Sequence, residues 1–200
     1  MLLSPGIKQA VRRAVSATGL QVAFRSNAQP FEQDTKMTTF SLTSPEFTEQ
    51  GTLAKAHEYN DFGGNGDNRS PALSWRAAPA GTRSFAVTLY DPDAPTGSGF
   101  WHWVAFDIPE DADGLPADTG AQDGAMLPAG AIHSANDYGV HGFGGACPPA
   151  GDAPHRYVFT LHALSVDKLG IDASTPNAVA RFLIHANTID SASITAYYQR

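Results

Sequence analysis

Four polar side chains interrupt or end otherwise apolar stretches of this sequence. Asp91 ends one apolar run and His102 lies inside another, while His155 and Tyr157 open a third run two residues apart. Residues two apart on a strand share a face, and a buried carboxylate or imidazole needs hydrogen-bond partners. If the four side chains converge, they form a polar pocket with two imidazoles, a phenol and a carboxylate.

Such a set supports three kinds of chemistry, and spacing alone does not choose between them. Two histidines and an aspartate could ligate a metal, or a His–Asp pair could activate the nucleophile of a hydrolase. In the third reading the imidazoles and the phenol donate hydrogen bonds to a phosphate or carboxylate. Asp91 would then fix the tautomer of one imidazole or receive a ligand's ammonium group. If the imidazoles bind as imidazolium, affinity should fall above about pH 7.

We favour the third reading, without a catalytic residue, a metal or a cofactor. The sequence contains neither the short helical histidine spacing of many metal sites nor a Gly-x-Ser-x-Gly nucleophile elbow. Cys147 stands between a small residue and two prolines, with no evident base beside it. A hydrolase that depends on a metal or on Cys147 remains the competing hypothesis.

Three predicted strands would position these side chains. Residues 84–91 place Phe85, Val87 and Leu89 on the same face as Asp91. Residues 101–108 are apolar on both faces, as in a buried central strand, and His155 opens a third strand that runs to residue 164. Proline rings stiffen the turn after Asp91. The strands are joined by connections rich in glycine and proline: residues 63–71, 92–99 and 139–154.

Turn residues are abundant, and one helix is predicted near the end of the chain. Nineteen glycines and fourteen prolines cluster between short apolar runs, which is typical of a mainly β protein. Thr175-Pro176-Asn177 is expected to begin a helix that ends at about Asn187. Its inward face is expected to carry Val179, Phe182, Leu183 and Ala186.

Composition argues against several classes of protein. Of the formal charge of −7, residues 1–36 contribute +3 and the remainder −10, and so acidic a domain would repel nucleic acid. No apolar run approaches the ~18–20 residues that span a bilayer, so the chain is not expected to be an integral membrane protein. Cys147 is the only cysteine. One thiol fits a reducing compartment, and the cytoplasm is the expected location by default.

The first 36 residues differ from the rest and are predicted to be an N-terminal extension. They are net basic and could form either a mobile segment or a short amphipathic helix that touches a membrane surface. From Met37 the sequence alternates polar and apolar residues, as a strand does. The folded domain is therefore predicted to span residues 37–200.

Three motifs indicate a family. The sequence resembles the phosphatidylethanolamine-binding proteins (PEBPs), also called Raf kinase inhibitor-like proteins, in their bacterial and archaeal branch. The resemblance runs from about residue 40 to residue 200. The motifs are Asn68-Arg-Ser-Pro-Ala-Leu-Ser-Trp75, Tyr90-Asp-Pro-Asp-Ala-Pro-Thr-Gly-Ser-Gly-Phe-Trp-His-Trp103 and Gly144-Gly-Ala-Cys-Pro-Pro-Ala-Gly-Asp-Ala-Pro-His-Arg-Tyr157.

The resemblance implies a PEBP-like β sandwich, with two packed antiparallel sheets and a few peripheral and C-terminal helices. It also implies a small surface cavity that binds phosphate, phosphorylethanolamine or a phospholipid headgroup without catalysis. Motif matching assigns ligand binding to Asp91, Pro95, His102, His155 and Tyr157. The residues that the resemblance implies at the pocket rim are Asp93, Gly145, Cys147 and Pro148.

The resemblance further implies regulation of a protein partner such as a kinase, and it is compatible with a homodimer that nothing in the sequence requires. A third hypothesis makes the domain a protein-interaction scaffold with a vestigial cavity. The chain departs from the family at Ala146, where this branch usually has proline. Because alanine frees φ, this change is expected to loosen the loop.

Overall fold

The computed structural model describes residues 39–200, which form two β-sheets and one α-helix. The first predicted domain boundary, at residue 37, and the predicted extension lie outside the described residues. The nine strands are β1 (Ser41–Thr43), β2 (Gly51–Thr52), β3 (Leu73–Arg76), β4 (Ser84–Asp91), β5 (Phe100–Pro109), β6 (Gly114–Leu115), β7 (Ile132–His133), β8 (His155–Leu164) and β9 (Thr188–Tyr198). The helix α1 is Asn177–Asn187, and a short 3₁₀ helix spans Lys55–His57.

The larger sheet has six strands in the order β2-β9-β8-β4-β5-β7. The three strands predicted from the sequence are β4, β5 and β8, and all three are confirmed. They are neighbours at the centre of this sheet, and both of their ladders are antiparallel. The short pair of β2 with β9 is parallel, so the sheet is not wholly antiparallel.

The main core lies between this sheet and a three-stranded sheet of order β1-β3-β6. Odd-numbered residues of β4 face inward, as their alternation predicts, and Phe85 packs against Trp75 of β3 with ring centroids 5.4 Å apart. Val87 and Leu89 are fully buried in the same cluster. The inward face of β4 therefore leads directly to Asp91 at the end of the strand.

The other face of the large sheet is covered by α1, so the central strands are buried on both sides. The predicted bounds of α1 are confirmed, but the prediction of its inward face was partly wrong. Ala180, Leu183 and Ile184 pack against the sheet, whereas Phe182 is 46% exposed. Pro176 precedes the helix without a side-chain cap. In the part of the chain that is described, no helix is long and apolar enough to cross a membrane.

Candidate functional site

The strand order brings the four candidate side chains to one end of the six-stranded sheet. Asp91 is the last residue of β4, His102 lies near the start of β5, and His155 and Tyr157 begin β8. Because β5 and β8 both run antiparallel to β4, these positions meet at the same edge. All four line one cavity of about 290 Å³, together with Pro95.

Asp91 is a buried carboxylate whose oxygens all have donors. Oδ1 accepts the backbone N–H of Asp93 at 2.8 Å and of Ala94 at 3.1 Å. Oδ2 accepts a hydrogen bond from His155 Nδ1 at 2.8 Å. The turn after β4 therefore holds the carboxylate rigidly, which explains how a charge can stay at the edge of the core.

His155 is fixed by carboxylates on both sides of its ring. Its Nδ1 donates to Asp91, and its Nε2 lies 3.5 Å from Asp152 Oδ2. Carboxylate oxygens only accept hydrogen bonds, so Nδ1 carries a proton. The Asp91–His155 pair joins β4 to β8 at the floor of the cavity.

His102 is held by backbone carbonyls instead of a carboxylate. Its Nδ1 lies 2.9 Å from the carbonyl oxygen of Gly144 and 3.1 Å from that of Gly145. The ring is packed edge-on against Tyr157, with centroids 5.2 Å apart. Burial lowers the pKa of His102, although the two carbonyls and the charge of Asp91 oppose this effect. The neutral imidazole is therefore favoured near pH 7.

The Tyr157 hydroxyl is buried and has no hydrogen-bond partner among the described residues. The backbone N–H of Cys147 lies near this oxygen without completing a hydrogen bond of good geometry. Burial raises the pKa of Tyr157, and the charge of Asp91 raises it further, so the hydroxyl keeps its proton. An orphan buried donor costs about 1–3 kcal/mol, which an oxygen atom inside the cavity would offset.

Aromatic rings form much of the remaining wall, and the sequence did not identify them. Tyr138 stacks on Tyr59 at 4.1 Å and contacts Phe100 at 4.6 Å. Phe62, 68% exposed, stands at the mouth against Tyr138. Asp137, which lies in a turn, also lines the cavity and accepts the backbone N–H of Trp101. The only sequence signal for this wall was the turn-forming run around Asn136–Gly139.

The four predicted rim residues divide into two pairs. Cys147 and Pro148 line the cavity. Gly145 lies behind His102, and Asp93 lies in an adjoining groove, where its carboxylate pairs with Arg156. This ion pair lowers the pKa of Asp93 to about 2.

The expected loosening at Ala146 is wrong. Ala146 is buried, its N–H donates to the His57 carbonyl at 3.0 Å, and its own carbonyl accepts the N–H of Tyr59. Proline has no N–H and could not make the first of these bonds. In this chain the loop is held by a hydrogen bond that the usual family residue would lack.

The two competing chemistries would need a cluster of metal ligands or a reactive thiol in the cavity. Among residues 39–200, no three histidine, cysteine, aspartate or glutamate side chains converge closely enough to hold a metal ion. Burial raises the pKa of the Cys147 thiol, which disfavours the nucleophilic thiolate. Its Sγ lies 3.7 Å from the carbonyl oxygens of Asp61 and Phe62, so the thiol is engaged with the neighbouring loop.

Comparison with known proteins identifies the family. The sequence model described as phosphatidylethanolamine-binding protein matches residues 43–199. The chain belongs to the PEBP family. Its relatives include two bacterial proteins of Escherichia coli K12. YbcL is 48% identical over 160 residues, which cover 80% of this chain and 87% of YbcL. YbhB is 45% identical over 157 residues, which cover 78% of this chain and 98% of YbhB.

The crystal structure of E. coli YbcL, described as a new member of the mammalian PEBP family, has the same fold. The TM-score is 0.79 at 47% identity, over 80% of this chain and 98% of YbcL. The mainly β, two-sheet architecture is thus that of a PEBP.

Proposed function

We propose that this PEBP binds a small anionic group, such as phosphate or a phosphorylethanolamine-like headgroup, in the cavity formed by Asp91, His102, His155 and Tyr157, and that it does so without catalysis. The observation that carries the proposal is the buried Tyr157 hydroxyl, a protonated donor without a protein partner. A ligand oxygen would satisfy it.

The size and walls of the cavity fit a headgroup rather than a large ligand. A volume of about 290 Å³ lies at the lower end of ligand pockets, which typically measure about 300–1,000 Å³. Pro95 and Phe100 are among the residues that line the cavity. The carboxylate of Asp137, beside the ring of Tyr138, is a suitable partner for an ammonium group that follows the phosphate.

The rigidity of the site supports binding rather than turnover. Asp91 and His155 are bonded to each other, and neither the Tyr157 hydroxyl nor the Cys147 thiol is hydrogen-bonded to an imidazole, so the cavity wall lacks the nucleophile–base pair of a hydrolase. Regulation of a protein partner such as a kinase, and a cytoplasmic location, remain predictions that accompany this proposal. A ligand of about five heavy atoms should bind weakly, with a dissociation constant in the millimolar range.

An NMR titration with inorganic phosphate and with phosphorylethanolamine tests the proposal. We expect the ring signals of His102 and His155 to shift with saturation, while those of His185, on the outer face of α1, stay fixed. Constant signals from both cavity histidines at saturating concentrations would contradict the proposal.

The Tyr157→Phe substitution isolates the hydroxyl. Phosphate affinity should fall about tenfold or more, because a hydrogen bond to a charged group is lost, while the free protein keeps or slightly gains stability. Tyr197→Phe, in the partly exposed part of β9, is the matched control and should bind as the unmodified chain does. Equal phosphate affinity of the two variants would remove Tyr157 from the site.

A further inference from the structure

The tautomer of His102 is determined by the backbone around it. Carbonyl oxygens only accept hydrogen bonds, so the contacts with Gly144 and Gly145 require that Nδ1 carry the proton. Nε2 has no hydrogen-bond partner among the described residues, and it lies on the ring edge turned away from the carbonyls. The neutral ring therefore presents a lone pair to the cavity that it lines.

The two carbonyls cannot easily turn away. Asn68 Oδ1 accepts the N–H of Gly145 at 2.7 Å, and the N–H of Gly144 donates to the His102 carbonyl at 2.8 Å. A Cβ on Gly144 would lie 2.5 Å from the Tyr138 ring, and one on Gly145 would lie 2.4 Å from the His57 carbonyl oxygen. The loop is therefore packed tightly against the imidazole.

The surroundings of the ring favour the neutral form. The side chain of His102 is only 2% exposed, and aromatic rings cover much of it. Asp91 and Asp137 would stabilise a positive charge, but desolvation outweighs them. The other titratable groups on the cavity wall are His155, Tyr138, Tyr157 and Cys147.

Resting on the function proposed above, we propose that the cavity selects tetrahedral anions that carry an ionisable hydroxyl, namely phosphate and phosphonate groups in their singly protonated form, over sulfate and sulfonate groups. The P–OH donates to His102 Nε2, and an unprotonated oxygen of the same group accepts from the Tyr157 hydroxyl. One proton is thus shared between ligand and imidazole. A phosphate monoester or phosphonate dianion takes up one proton from solution on binding, whereas HPO4²⁻ already carries the hydroxyl. A sulfonate has no proton to donate at neutral pH, so its oxygen meets the lone pair of Nε2 and is repelled.

Two ions of equal charge and similar shape test this selectivity. At about pH 6, methylphosphonate is mainly a monoanion with one hydroxyl, and methanesulfonate is a monoanion with none. Titration calorimetry or histidine NMR should show at least tenfold tighter binding of methylphosphonate. Equal affinity would overturn the selectivity and leave anion binding intact, whereas no binding of either ion, or of phosphate, would overturn the proposed function itself.

The His102→Gln substitution converts a fixed acceptor into an amide that can donate or accept. We expect the preference for methylphosphonate to fall to about threefold or less. His185→Gln, on the exposed side of α1, is the matched control and should keep the full preference. If the His102→Gln variant kept the full preference for methylphosphonate, the acceptor of the ligand's proton would be another group.

A measurement on the unmodified protein keeps the proposal testable if His102→Gln does not fold. Long-range ¹H–¹⁵N correlation spectra distinguish the two neutral imidazole tautomers. At pH 6–7 and without ligand, His102 should be the tautomer protonated on Nδ1. Detection of the tautomer protonated on Nε2, or of imidazolium, would refute the mechanism.

Discussion

Strand β8 carries two buried histidines, His155 and His162, in very different surroundings. Being seven positions apart, they lie on opposite faces of the strand. His155 donates to the carboxylate of Asp91 and borders the cavity. His162 lies under α1, where its Nε2 is 3.2 Å from the Thr88 hydroxyl.

The contrast teaches what separates a structural histidine from a candidate binding residue. His162 has neutral hydroxyl partners, with Thr188 Oγ1 3.5 Å from its Nδ1, and it does not line the cavity. Burial lowers its pKa to about 4, and the nearby His185 adds to this effect. His155 instead has carboxylate oxygens and open space beside it. The residue type and the strand are the same, and only the neighbours differ.

Removing one hydrogen-bond partner from each histidine should give the largest difference in stability between the two sites. Asp91→Ala removes one partner of the buried Asp91–His155 pair and deprives two backbone N–H groups of their acceptor. The free energy of unfolding should therefore fall by about 3–5 kcal/mol. Thr88→Val, the control on the other face, loses one neutral hydrogen bond and should cost about 1 kcal/mol. Urea unfolding at pH 7 measures both. Similar losses in the two variants would mean that the Asp91 carboxylate contributes no more to stability than the Thr88 hydroxyl does.

Lowering the pH should destabilise the protein because it contains buried neutral histidines. The unfolded chain takes up a proton at the ordinary histidine pKa of about 6.5, whereas folded His162 does so only at about 4. Stability should therefore fall by about 3 kcal/mol as the pH decreases from 6.5 to 4, and His133, whose pKa burial also lowers to about 4, should add a similar loss.

His162→Gln should remove its share of this acid loss, as measured by urea unfolding at pH 7 and pH 4. His141→Gln, at an exposed position, serves as the control and should keep most of the original difference between the two pH values, because His141 only adds to the burial that lowers the pKa of His133. If His162→Gln kept that difference too, the buried imidazole would not be its source.

The smallest expected effect comes from a substitution that tests the role of the loop behind His102. Asn68 has φ +50°, a left-handed conformation that glycine adopts freely, and its side chain bonds Gly145 and Phe143. Asn68→Gly removes only these bonds and should cost about 1–2 kcal/mol. It should also weaken phosphate binding, because His102 loses its fixed tautomer.

Gln50→Gly is the matched control for this change. Gln50 also has a positive φ, of 59°, and it is exposed, so glycine there should be neutral or slightly stabilising and should leave phosphate binding unchanged. An identical phosphate affinity in Asn68→Gly would show that the loop does not act through His102.

Much of the sheet was predictable because strand periodicity is local. The alternation of β4 and the doubly apolar β5 follow directly from burial on one or both faces. The orientation of α1 was less predictable, because Phe182 is apolar yet exposed, and its exposure depends on how the helix sits on the sheet.

The wall of the site was less predictable than its charged floor. Tyr138 reaches the cavity from a turn, and Asn68 bonds the loop behind His102, and both placements depend on contacts between distant segments. The bond between Ala146 and His57 also joins remote loops, which is why loop composition alone gave the wrong expectation. Their roles emerge only from tertiary packing.

The cavity is formed by two units that are far apart in the sequence, the β4–β5 pair and the start of β8. Asp91 and His102 belong to the adjacent pair β4–β5, whereas His155 and Tyr157 arrive with β8, about 50 residues later. The pocket therefore exists only after these two units have docked. A small ion that occupies it contacts both units, so it would slow their separation and protect the amide hydrogens of β4 and β8 from exchange, even though it touches only one end of each strand.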